Sequence, residues 1–96
     1  MAKTDDNRIF VDTNVLLAAT DTDREHHRAS LEFLEAGWRG EIRLFASNQV
    51  FREYLVVATR PVKANGLGLS SEEACANMDR FGKVIELLPE TGETMS

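Results

Sequence analysis

The chain has 96 residues, is 43% hydrophobic and 28% charged, and carries a net charge of −5. That suits one small globular domain, contains no apolar run near the roughly 18 residues a membrane helix needs, and argues against binding nucleic acid through bulk charge alone. The single cysteine, Cys75, excludes an internal disulfide and a multi-thiolate zinc site.

The polar leader, residues 1–7, lacks the apolar stretch of a secretion signal, so the cytoplasm is the expected compartment and no membrane partner is expected. Ile9 to Val11 is a short continuous apolar run, the pattern of a strand buried on both faces in a parallel sheet. Asp12 then falls at the carboxyl end of that strand. Asn14 to Ala19 reads as a short helix, followed by turn formers in "TDTDR". Glu25 to Trp38 has helical spacing, with His27, Leu31, Leu34 and Trp38 on one stripe and alternating charges opposite, so Trp38 is expected in the core. With no thiol or third histidine nearby to complete a metal site, His26 and His27 are expected to be structural or surface residues.

Ile42 to Ala46 reads as a second strand, with Ser47 placed to cap a helix from Asn48 to about Ala58. Val50, Tyr54, Val57 and Ala58 form its apolar stripe, widened by Phe51. At about 100° per residue, Glu53 projects to the border of that stripe, near the rim of the core. The connector "KANGLGLS" is expected to be mobile. Ser70 and Glu73 offer a capping box for a helix with Ala74, Met78 and Phe81 on its apolar face, where Cys75 is expected as a small buried residue. Val84 to Leu88 reads as a third strand, stopped by Pro89. Residues 8–89 form the expected domain and 90–96 a tail. Strands alternating with helices define the α/β class, a parallel sheet flanked by helices, with ligands expected outside the carboxyl ends of the strands.

If the first two strands are parallel neighbours, Asp12 and Glu53 project over the same edge of the sheet. Two carboxylates sharing a site repel unless a cation or proton intervenes. An all-oxygen set, with Thr13 or Asn14 as neutral neighbours, suits Mg²⁺ or Mn²⁺ rather than zinc. The structural alternative has Asp12 capping the following turn and Glu53 pairing with an arginine such as Arg8 or Arg43. Arg39, Arg43, Arg52, Arg60 and Lys63 form a locally basic stretch, and Arg52, next to Glu53, is its best candidate for RNA contact.

The blocks "RIFVDTNVLLAA", "LFASNQVFREYLVVATRP" and "LSSEEA", in this order, resemble those of a PIN domain, specifically the VapC-like ribonuclease toxins of bacterial toxin-antitoxin pairs. The resemblance runs from about Arg8 to Pro89. It implies a Mg²⁺- or Mn²⁺-dependent endoribonuclease with Asp12 as the first metal-binding acid and Glu53 as the second, Thr13 or Asn14 supporting the metal shell, RNA as substrate and an antitoxin-like protein as partner. Members of the family continue into further strands and helices that carry a third and usually a fourth acid. The chain is therefore expected to be a partial, C-terminally truncated PIN-like fold with half an active site, and Asp79, Glu86 and Glu90 are assigned no catalytic role. The surfaces left open by such a truncation call for a second copy or a partner, so the alternative function is a non-catalytic module acting through self-association or partner binding. A phosphotransferase of the haloacid dehalogenase type also begins with a strand-end Asp, but it needs a second Asp two residues on, where this chain has Asn14.

Overall fold

A computed structural model describes residues 8–88; the leader at 1–7, the strand stop at Pro89 and the tail lie outside the described residues. Strand β1 (Arg8–Phe10) leads through α1 (Thr13–Thr20) and α2 (His27–Trp38) to β2 (Arg43–Ser47). Helix α3 (Asn48–Thr59), a 3₁₀ turn at Val62–Ala64 and α4 (Ser71–Gly82) then lead to β3 (Ile85–Leu88). The protein is thus α/β.

The three strands pair in the order β1-β2-β3, all parallel, with Ile9 opposite Leu44 and Leu44 opposite Ile85. When parallel strands are added in one direction, right-handed crossovers place every connecting helix on the same face. The core agrees. Leu44, Ala46 and Ile85, which share a face by strand alternation, cluster with Leu16 and Leu17 of α1, Phe51, Tyr54 and Ala58 of α3, and Ala74 of α4. Phe33 and Leu34 of α2 pack against the same cluster.

The opposite face carries no helix among the described residues, contrary to the expectation that the first strand is covered on both sides. There Phe45 is shielded by neighbouring side chains: the Phe10 ring at 5.9 Å and the guanidinium groups of Arg43 and Arg8 at 5.1 and 5.9 Å from its centroid. Phe10 itself is 71% exposed.

Caps fix the helix starts. Ser47 accepts from the Val50 N–H at the start of α3, and Ser70 and Glu73 complete their reciprocal capping box at α4. Tyr54, fully buried, ties three helices together: its hydroxyl meets Thr20 Oγ1 at 2.8 Å and accepts from Asn77 Nδ2 at 3.1 Å, and its ring meets Phe81 edge-on.

Three further expectations are corrected. Trp38 is 66% exposed because Gly37 makes the close approach to the sheet: a Cβ there would lie 2.6 Å from Leu44 Cδ1. One residue further on, about 100° round the helix, the indole faces outward. Cys75 is exposed because its neighbour Ala74 faces the core. The connector after α3 is folded back on that helix, with the N–H groups of Leu67, Gly68 and Leu69 donating to the carbonyls of Val57, Arg60 and Ala58. Gly66 is required in this loop, since an added Cβ would lie 2.1 Å from the Arg60 carbonyl oxygen.

Candidate active site

Asp12 directly follows the buried Val11 and is the N-cap of α1. Its Oδ1 accepts the Val15 N–H at 3.2 Å, so the capping role foreseen as the structural alternative is present. Capping occupies one carboxylate oxygen and leaves the other for a ligand.

Glu53 lies in the second turn of α3 and is exposed, beyond the core rim where its helical position was expected to hold it. It is nevertheless held. Thr13 Oγ1 donates to Glu53 Oε1 at 3.0 Å and Gln49 Nε2 donates to Oε2 at 3.0 Å. Neither arginine proposed as its alternative partner takes that role: Arg43 bonds Glu86 at 3.2 Å, and Arg8 lies against the Phe45 ring. A carboxylate oxygen that accepts one hydrogen bond has a second lone pair to offer a ligand.

Thr13 is therefore the mechanical link. It begins the helix that Asp12 caps, and its hydroxyl reaches across to α3, which brings the two acids to one cleft of about 660 Å³. Asp12, Thr13, Asn14, Arg52 and Glu53 all line this cleft, together with Gln49, Leu17, Val56, Val57 and Arg60. A second cleft of about 450 Å³ shares Asp12 and Asn14 and continues past Arg24, Glu25, His26 and Ser30.

The donors offered to a cation are two carboxylates, an amide and a hydroxyl, all oxygen. Mg²⁺ is held by one or two carboxylates and keeps several waters, so the pair fits such an ion. Among the described residues no group of three or more His, Cys, Asp or Glu is arranged to hold a metal.

Gln49, Arg24 and His26 were not picked out as site residues from the sequence, whereas Arg60 was, as part of the basic stretch considered for RNA. Gln49 was accessible, since it stands one turn before Glu53 on the helix. His27 is structural, its Nδ1 lying 2.7 Å from the Ala18 carbonyl oxygen and joining α2 to α1. His26, at a φ of 70° in the left-handed region, faces the second cleft.

In this one-directional parallel sheet the first strand runs into an acid that shares a cleft with a second acid on the helix after the neighbouring strand, at the strand ends where open α/β sheets bind ligands. Residues 8–90 match the PIN domain. The chain belongs to the PIN domain family, whose members are typically nucleases and generally depend on divalent metal. No curated protein matches the chain. Among the described residues, no helix is long and apolar enough to cross a membrane.

Proposed function

We propose that the protein is an endoribonuclease of the PIN type, similar to the VapC-like toxins, acting in the cytoplasm on RNA with Mg²⁺ or Mn²⁺ held by Asp12 and Glu53. The observation that carries this is the fixed pair: Glu53 is held by Thr13 and Gln49 over the cleft that Asp12 shares. A bound ion supplies Lewis acidity toward a phosphoryl oxygen and lowers the pKa of a coordinated water. The chain's own contribution is positional. Asp12 and Glu53 supply the negative charge, Thr13 and Gln49 fix the Glu53 carboxylate, Asn14 adds a neutral oxygen, and Arg52 stands on the same cleft to meet the substrate's phosphates.

Hydrolysis of labelled RNA in Mg²⁺, abolished by chelation and by Asp12→Asn, is the expected result. Asparagine caps helices as well as aspartate does, so that variant removes the charge and keeps the fold. Full activity in Asp12→Asn would refute the assignment.

A second function is favoured by the exposed apolar side chains. Phe10 on the open strand edge, and Trp38 with Leu31 over a groove completed by Leu34, Phe81 and Val84, suit a non-catalytic module that binds an antitoxin-like protein or a second copy. Stable association without cleavage would select it.

A further inference from the structure

Strand β1 pairs with β2 alone, so among the described residues its other edge is open. On the β2 side the Val11 N–H donates to the Phe45 carbonyl at 2.8 Å. Backbone groups alternate in direction along a strand, so those of Ile9 share the β2 side and those of Arg8 and Phe10 point to the open edge. Two residues thus present two N–H donors and two carbonyl acceptors, a template for a further strand.

The side chains of the same two residues share a face by strand alternation, the face that carries no helix among the described residues. Both are exposed, and they are complementary in kind, a cation and an aromatic ring. Arg8 leans toward β2, its guanidinium 5.9 Å from the Phe45 ring centroid. Phe10 has that same ring on its β2 side at 5.9 Å and is still 71% exposed, so its outer side is uncovered.

Resting on the second function proposed above, in which a second copy is bound, we propose that β1 of that copy occupies this edge. The two strands run antiparallel with Ile9 opposite Ile9, which sets Arg8 of each copy opposite Phe10 of the other.

The edge itself selects the register. A pair of opposed residues exchanges two hydrogen bonds when both face the shared edge, and Arg8 with Phe10 does so twice, using all four outward groups. An odd slip brings Ile9, whose groups belong to β2, against an outward residue. A slip of two residues one way sets Arg8 against Arg8, whose like charges repel; the other way it leaves Phe10 paired only with Phe10. In the matched register, opposed side chains share a face with Cβ atoms about 5 Å apart. Each guanidinium then reaches the uncovered side of a Phe10 ring, whose face attracts a cation.

The contact is two-fold and closes on itself, joining two three-stranded sheets into one with no free β1 edge. Because the central strands run in opposite directions, the two acid clefts fall at opposite ends of the joined sheet, each lined by its own chain.

The test is sedimentation equilibrium of the intact chain over a range of concentrations. A mass of two copies is expected. Phe10→Lys sets a lysine opposite Arg8 and is expected to weaken association on the order of tenfold or more, since the symmetry counts the like-charge pair twice. Arg8→Glu combined with Phe10→Lys restores an attractive pair and is expected to restore the dimer, which also shows that the lysine is compatible with folding. Trp38→Ala, in the groove away from this edge, is expected to change nothing. Failure of the double variant to recover overturns the register, and masses beyond two copies, as head-to-tail pairing of β1 with β3 gives, overturn the closed dimer. Association that ignores Phe10→Lys and is lost in Trp38→Ala overturns the edge contact and keeps self-association through the groove. A monomer at every concentration overturns both.

Discussion

Replacing Thr13 by valine isolates the link between the two acids. Valine keeps the shape and has a helix propensity close to that of threonine, so the change is confined to a hydroxyl that donates to Glu53 Oε1 at 3.0 Å. The bond is exposed, which puts its net worth at about 1 kcal/mol or less. For a domain of this size that is a fall in Tm of about 3–6 °C. The larger effect is expected on the cation. Glu53 would keep only its bond from Gln49, on its own helix, and lose the one that ties α3 to the residue after Asp12. Loss of a partner that orients a metal ligand costs about 10- to 100-fold in affinity. Mn²⁺ titration followed by broadening of backbone amide signals measures this directly, with broadening centred on Asp12, Thr13, Asn14 and the Glu53 turn in the unaltered chain. Thr13→Ser, which keeps the hydroxyl, is expected to bind like the unaltered chain. Equal Mn²⁺ affinity in the valine and threonine forms, or equal losses in the serine and valine forms, would refute the bridging role.

Tyr54→Phe keeps the ring against Phe81 and removes the hydroxyl shared by Thr20 and Asn77; a loss of about 1 kcal/mol in urea unfolding is expected, because half-buried Asn77 Nδ2 loses its acceptor while Thr20 keeps only its bond to the Leu16 carbonyl. Ser70→Ala breaks the capping box and should cost about 1 kcal/mol by the same measurement. Gly66→Ala forces a Cβ against the Arg60 carbonyl, so a larger drop in Tm than for Ser70→Ala is expected in a thermal melt. The hydrogen bond and charge of Arg39 hold the Glu41 carboxyl below its ordinary range. A depressed carboxyl favours folding above its unfolded pKa, and that contribution is lost as pH falls through the folded value; NMR titration of Arg39→Ala should show Glu41 moving up.

The pattern of the sequence reached the fold through its punctuation. Ser47, and Ser70 with Glu73, mark helix starts because a capping side chain acts within three residues, and the short apolar runs became three parallel strands, each within one residue of where they were expected. Sidedness was less accessible. The run Ile9 to Val11 looks like a strand buried twice, yet strand order decides which faces receive helices, and the order depends on contacts far apart in the chain. The same holds for Trp38, whose stripe is apolar by spacing while Gly37 determines which side of α2 meets Leu44. At the site, Asp12, Thr13, Asn14, Arg52 and Glu53 were legible as chemistry, and they line one cleft. The hold on Glu53 was not, because a threonine 40 residues away supplies it.

That separation has a consequence for how the protein is made. A chain that has formed β1 and α1 carries Asp12 and its cap but has no partner acid in place. The cleft closes only when α3 docks on α1, and that closure spans the same long loop that brings β2 beside β1. Parallel pairing between distant segments is slow because loop entropy is lost before contacts reward it. Assembly of the acids therefore depends on contacts 40 residues apart in the chain, and a nascent chain that ends before α3 lacks both the second acid and the contact that holds it.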